Sequence, residues 1–374
     1  MKRIVGIIFE ANPFHHGHEY LIKQIKGTLN PDLIIGVTSG YFTMRGEISI
    51  LSKKNKVQIL LNQGIDIVAE LPIFDTLNSA NRFACSSIDI LASLGITDLC
   101  FGAETSDLSF FNHILKIEQT PQFQKLFKDN LNNNLSYKVS YLNTVEELIP
   151  DSKEVLQHAN ATLALEYLRC LIKYPSITPH VFKRIGNDEE ISTLDNFASG
   201  TAIRDNYLQG NDVSKFISYD QSLLTNLATY KQNMHTLTLA MFNQKHYLGL
   251  NNPVISEGIE HYLENNYQFD KSFDDNLNLL ANKKYTKSRI RRSILSLMLE
   301  IDSDKVADYP RVLGFSETGL SYLRQTSLNN VIMNITSKNK QILQYELKTV
   351  FLYSLLVNHD YTIEEYQFPL KRKD

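Results

Sequence analysis

IVGIIFEANPFHHGHEYLIKQIKG, residues Ile4 to Gly27, begins with six apolar residues rich in β-branched side chains and closes on a glycine. Ile4 to Phe9 has the length and composition of a buried strand. Glu10 and the Asn12-Pro13 pair end it, because a residue before proline is pushed to extended backbone. A helix is predicted from His16 or Gly17, with Tyr20, Leu21, Gln24 and Ile25 setting its phase and Gly27 as its stop. The helix's free N–H groups and the positive end of its dipole then lie at His16 and Gly17, where a phosphate binds well.

Three of the ten histidines fall at this point, as His15-His16-Gly17-His18. His15 and His18 are three apart, so both can face one pocket from the first turn. Two imidazole donors beside helix N–H groups suit a phosphate that gains charge in a transition state, and they are the candidate catalytic residues. Gly17, lacking a Cβ, leaves room for close approach. A plain capping or surface pair is the first alternative. A metal site is the second, but an i, i+3 pair with no Cys or Asp nearby is a poor cage, and no metal ligands are assigned.

GIIFEANPFHHGH resembles the N-terminal signature of the HxGH nucleotidyltransferases, and E-x-NPFHxGH is similar to the bacterial tRNA(Met) cytidine acetate ligases. The resemblance implies an ATP-binding segment. It would take Ile8, Phe9, Glu10 and Ala11 from the strand end, and Asn12, Pro13 and Phe14 from the turn. His15, His16, Gly17 and His18 would follow from the helix start.

The 374 residues are 43% hydrophobic and 21% charged, with net charge −3. This is the composition of a globular chain that must bind any nucleic acid through a local patch. Cys85, Cys100 and Cys170 include no C-x-x-C pair, which argues against a disulfide scaffold and a zinc site and for a reducing, cytoplasmic setting. The apolar run after Lys2-Arg3 is too short for a signal peptide, and no stretch is long enough to span a bilayer, so no membrane role is expected.

Further strands are predicted at Leu33–Val37, Ile65–Leu71, Asp98–Phe101 and Ile177–Ile185. Between them, helices run from Ser52 to Gln63 and from Ser79 to Leu94. This alternation implies an α/β fold, a Rossmann-like parallel sheet of about five strands with its ligand edge at the strand C-termini. Residues 105–158 read as a helical insertion. The loop TSGYFTMRGE is similar to the family's SGNFxQRGE at Ser39, Gly40, Phe42, Arg45, Gly46 and Glu47, and departs from it at Tyr41 and Met44. It is either an active-site loop whose Arg45 meets tRNA or an ordinary surface loop.

FGAE at 101–104 looks like the family's CFGxE, and KRIG at 183–186 matches the family stretch. Asn160, in ANATLALEY, matches the pattern PN-x-ILG-x-EY except at Ala159 and Ala164. The resemblance therefore adds Gly102, Asn160, Arg184 and Ile185 to the ATP site. Asn160 also reads as a helix cap. Ser199, Thr201 and Arg204, in an S-x-T-x-IR element, are second-rank phosphate ligands.

From about residue 211 the βα rhythm stops, which divides the chain into an ATP-binding part, 1–210, and a mostly α-helical part, 211–374. Lys283, Lys284, Lys287, Arg289, Arg291 and Arg292 lie within ten residues that contain no acid. A charge run is usually a solvated face; one this dense suits RNA phosphates.

The resemblance implies ATP-dependent activation of acetate to acetyl-adenylate. Transfer to N4 of the wobble cytidine of elongator tRNA(Met) follows, with Mg²⁺ on the phosphates. The rivals are a small-molecule nucleotidyltransferase of the same superfamily and an RNA-binding protein without catalysis. Oligomeric state is not readable from the sequence.

Overall fold

The computed structural model describes residues 2–133, 135–184, 197–303, 309–326, 328 and 330–372. Its first half alternates as expected. β1 (Ile4–Phe9), α1 (His16–Leu29), β2 (Leu33–Ser39), α2 (Lys53–Asn62) and β3 (Ile67–Leu71) come first. A short α3 (Ile73–Thr76) precedes α4 (Ala80–Ser93) and β4 (Asp98–Ala103). Ser52 and Ser79 cap α2 and α4 by accepting the backbone N–H three residues on, and Gly64 and Gly95 take left-handed backbone just past the two helix ends. Both stops are those expected of C-terminal glycines.

α1 departs from the expectation. It runs past Gly27 to Leu29, and Asn30 takes the left-handed position, with φ 44°. Asparagine tolerates that conformation, so Gly27 is not needed as the stop.

Between β4 and the next long helix lie α5 (Leu108–Glu118), α6 (Pro121–Asn132), α7 (Tyr137–Leu148) and α8 (Ser152–Leu156). α9 (Ala159–Leu171) and β5 (Thr178–Lys183) follow. The cap of α9 is His158, so Asn160 sits inside the first turn rather than at the cap. α9 packs along α4, bringing Cys85 and Cys170 to a Cα separation of 5.1 Å in a disulfide. The spacing argues against a disulfide scaffold and gives no sign of this single bond: two cysteines 85 residues apart in sequence meet only because two helices lie side by side.

Beyond α10 (Gly200–Leu208) come α11 (Tyr230–Gln244), α12 (Ile259–Asn266), α13 (Phe273–Leu280) and α14 (Lys287–Met298). β6 (Arg311–Phe315), α15 (Glu317–Gln325), α16 (Gln344–Val357), α17 (Thr362–Glu365) and β7 (Leu370–Lys371) complete the chain. The sheet order is β5-β4-β1-β2-β3-β6-β7. The first five strands are mutually parallel, whereas β6 runs antiparallel to β3 and carries β7.

The sheet thus has two strands more than expected. Arg311–Phe315 lies in the part read as mostly α-helical but is strand, because a short apolar run cannot be told from a buried helix segment by periodicity. The tail residues Lys371 and Arg372 are tied down, with Arg372 N–H donating to Phe315 O at 2.9 Å.

Each face of the sheet carries its own core. On one face Ile7 and Phe9 pack with α1, α2 and the later residues Phe273, Ile290 and Tyr353. On the other, Ile35 and Val37 pack with α4 and with α5 to α9. The later helices therefore share one continuous core with the first of these faces of the sheet. Among the described residues no helix is long and apolar enough to cross a membrane.

Candidate active site

β1 pairs with β2 on one side and β4 on the other, so the chain changes direction across the sheet at β1. In such sheets ligands bind outside the strand C-termini at that point. A cavity of about 410 Å³ opens there. Glu10 and Asn12 come to it from the end of β1, His15 and His18 from α1, Gly102 from β4, and Arg184 from beyond β5. Met44, Arg45 and Glu47 line it from the loop after β2, and Ser199, Thr201 and Arg204 from the start of α10. Ile8, Phe9, Ala11, Pro13, Gly17 and Asn160 also line it. Phe14 and His16 do not reach the wall. Phe14 is buried and stacks on the His18 ring, and His16 turns aside to Glu19 at 3.0 Å. Ile185 lies outside the described residues.

The two histidines form the cap of α1. His15 Nδ1 accepts the Gly17 N–H at 3.1 Å, and His18 Nδ1 accepts the His15 N–H at 3.2 Å. A backbone N–H only donates, so both Nδ1 atoms are unprotonated and each neutral ring carries its proton on Nε2. Burial, then His18 and Arg184, hold His15 well below the usual imidazole range; burial and then Arg184 hold His18 down to about 3. Both rings are therefore neutral donors near neutral pH. Gly17 lines the cavity and also makes room for the His15 ring, since a Cβ there would lie 2.8 Å from His15 Cε1.

The cationic groups are held in a frame. Arg184 donates to Asn160 Oδ1 at 2.9 Å, and Asn160 Nδ2 donates to Glu104 at 3.0 Å. Gly102 lies under this guanidinium arm, with a would-be Cβ 3.2 Å from Arg184 Cγ. Arg204 donates to Asn12 O at 2.5 Å and to Glu47 at 2.8 Å. Asn12 bonds Ile48 O and the Ile50 N–H, so it braces the turn.

The loop after β2 is no ordinary surface loop, since Tyr41, Phe42 and Thr43 are buried. Arg45 is exposed at the cavity mouth. Glu47 and Glu104 stand in the sequence motifs, but the motifs alone give them no role; what they do depends on partners distant in sequence. Among the described residues no group of three or more His, Cys, Asp or Glu is set to hold a metal ion.

The structure divides the basic run. Lys283, Lys284 and Lys287 are exposed. Arg289 turns to Glu257 at 3.2 Å, Arg291 lies 3.6 Å from Glu47, and Arg292 donates to Asn78 O at 2.6 Å. Arg291 also packs on Gly46, so the run, although far along the chain, abuts the loop beside the cavity.

Residues 1–367 match the family model for HIGH nucleotidyl transferases. A tRNA(Met) cytidine acetate ligase of Clostridium kluyveri is 33% identical over 398 aligned positions, covering 96% of this chain and 97% of that one. Its counterpart from Fervidobacterium nodosum is 30% identical over 356 positions, with 90% and 84% covered. This chain belongs to the tRNA(Met) cytidine acetate ligase family. Two crystal structures of Thermotoga maritima TmcAL share the ligase fold over the full length of both chains. The apo form has a TM-score of 0.85 at 24% identity, and the form bound with alpha-thio ATP 0.83 at 23%.

Proposed function

We propose that this protein activates acetate with ATP and transfers the acetyl group to N4 of the wobble cytidine of elongator tRNA(Met), in the cytoplasm. The observation that carries the reading is the paired Nε2–H donors of His15 and His18 at the N-terminus of α1, facing a cavity lined by Arg184 and Arg204. Relatives over most of the chain bear the ligase name.

Acetate arrives as an anion and needs no base to attack the α-phosphate. Charge builds on the phosphate oxygens and the leaving pyrophosphate, where fixed neutral donors and a helix N-terminus stabilise it without reorganising. Arg204, Ser199 and Thr201 at the start of α10 would take the outer phosphates, and Gly102, Asn160 and Arg184 the rest of the nucleotide. Mg²⁺ would come with the triphosphate; among the described residues no group of three or more His, Cys, Asp or Glu is set to hold it. Two assays test the reading: acetate-dependent ATP–pyrophosphate exchange, and nucleoside analysis of tRNA(Met) after incubation with ATP and labelled acetate. Exchange without acetyl transfer to tRNA would favour the small-molecule rival.

Gly17→Ala separates stability from chemistry. Alanine in a helix is favoured over glycine by about 0.5–1 kcal/mol, which offsets the cap bond lost when the His15 ring moves, so the urea midpoint should change little. The new Cβ must displace the His15 ring, and misplacement on the scale of 1 Å costs roughly 10²-fold. Exchange should therefore fall by about that factor in a stable protein. Unchanged exchange would mean that the position of the His15 ring does not matter.

The exposed lysines 283, 284 and 287 carry the tRNA reading, together with Arg45 at the cavity mouth. Changing Lys283, Lys284 and Lys287 to alanine should weaken tRNA binding and flatten its salt dependence, by roughly 0.7–0.9 in the log–log slope for each phosphate no longer neutralised. Filter binding across a salt series measures this, with tRNA-free exchange as control. An unaltered slope would place the tRNA elsewhere.

A further inference from the structure

Acetyl transfer, the second half of the proposed reaction, needs a proton acceptor. As cytidine N4 attacks the acetyl carbon it must lose a proton, and few groups lining the cavity can take one. His15 and His18 have Nδ1 occupied by backbone N–H groups and Nε2 already protonated. Glu47 is drawn by Arg204 at 2.8 Å on one oxygen and by Arg291 at 3.6 Å on the other. Tyr167 is held protonated, its phenol pushed up by burial and then by Glu10. Lys183, Arg184 and Arg204 are cations.

Glu10 remains. It stands at the C-terminal end of β1, five residues before His15, and lines the cavity. Its Oε1 accepts the Met44 N–H at 2.5 Å, which fixes the carboxylate against the loop after β2. Its Oε2 has no hydrogen bond among the described residues and is not among their sealed, unpartnered buried atoms.

We infer that Glu10 is the general base of acetyl transfer, taking the N4 proton on Oε2. The C–N bond forms between N4 and the acetyl carbon. The bond from that carbon to the AMP phosphate oxygen breaks, and AMP leaves with the electron pair. One N4 proton passes to Glu10, which later releases it to water. The inference rests on the ligase reading above. Burial raises the Glu10 carboxyl above its usual range, against the Met44 N–H, Arg45 and Lys56, which lower it, and with Glu47, which raises it. A carboxylate raised toward neutral pH is a more effective acceptor there.

Glu10→Gln tests this. Glutamine keeps an oxygen for the Met44 N–H and removes the basicity. Acetyl transfer from preformed acetyl-adenylate to tRNA(Met), followed in a single turnover, should fall by about 10²–10⁴-fold, as expected for a lost general base. Acetate-dependent exchange should fall by a much smaller factor. Hydroxylamine, a strong nucleophile that needs no protein base, should still trap the acetyl group as hydroxamate at a rate tracking exchange. Equal losses in exchange and transfer would overturn the inference, because a purely structural Glu10 acts on both. Unchanged transfer would overturn it as well. Absence of acetate-dependent exchange in the unmodified protein would instead sink the ligase reading itself.

Discussion

His18→Ala should lower acetate-dependent ATP–pyrophosphate exchange by about 10²–10³-fold, the range found when one oxyanion-type donor is removed. The size of the effect follows from the state of the ring. His18 gives its Nδ1 lone pair to the His15 N–H and sits against Phe14 and Phe9, so its orientation is set before any ligand arrives. A fixed neutral donor in a partly dry site contributes more to a developing charge than the same group in water. His15→Ala should do similar damage to exchange and also remove a helix cap, a further cost of about 1 kcal/mol in stability. His15→Asn separates the two, since asparagine caps helices well but cannot place Nε2–H in the cavity.

The pH profile offers an independent check. With His15 well below the ordinary range and His18 down to about 3, neither ring titrates between pH 6 and 7, so exchange should show no imidazole step there. Near-normal exchange in both alanine variants would remove the pair from the mechanism. An imidazole step that disappears in His18→Ala would instead make that ring a proton carrier.

How much of this was legible in the sequence depended on the range of the interaction. β1, the turn at Asn12-Pro13 and the start of α1 are local, and their residues state them directly. So are the serine caps of α2 and α4 and the glycine stops after them. The parallel direction of the first five strands also followed, because strands alternating with helices imply βαβ units. What stayed hidden is long-range. Glu47 reads as one acid in a loop until α10 and α14 bring Arg204 and Arg291 to it. The Cys85–Cys170 pair needs α4 and α9 side by side. The basic run looked like one patch, but four of its six cations, Lys284, Arg289, Arg291 and Arg292, already have partners within the protein. β6 and β7 were missed because five and two residues carry too little periodicity to declare themselves.

Arg311→Met should destabilise the protein by about 3–5 kcal/mol, the usual cost of leaving a buried charge without its partner. Arg311, on β6, lies 2.8 Å from Glu70 on β3 and 2.5 Å from Glu365 on α17. Lys53 Nζ, on α2, reaches the same two carboxylates at 2.6 and 2.8 Å. All four side chains are almost fully buried, so two cations and two anions balance where water cannot help. Burial acts to lower Arg311, but Glu70 and Glu365 outweigh it and keep the guanidinium charged. Burial acts to raise Glu365, and Lys53 and Arg311 reverse that, so its carboxyl titrates below the usual 4.5. That contribution is full above the unfolded value and is lost as pH falls through the lower folded one.

Removing Arg311 leaves Lys53 to face two carboxylates alone. Pairing Arg311→Met with Glu365→Gln restores the balance, so the double variant should unfold at higher urea than Arg311→Met alone. Equilibrium unfolding of the three proteins measures both effects. The network joins α2 and β3 to β6 and α17, elements from opposite ends of the chain, so the loss should appear as one earlier transition. A separate early transition for the later helices would show that they unfold independently of the sheet. A cost below about 1 kcal/mol, the range of exposed pairs, would mean that the apolar packing of Phe368 and Tyr353 holds the C-terminal strands without the charges.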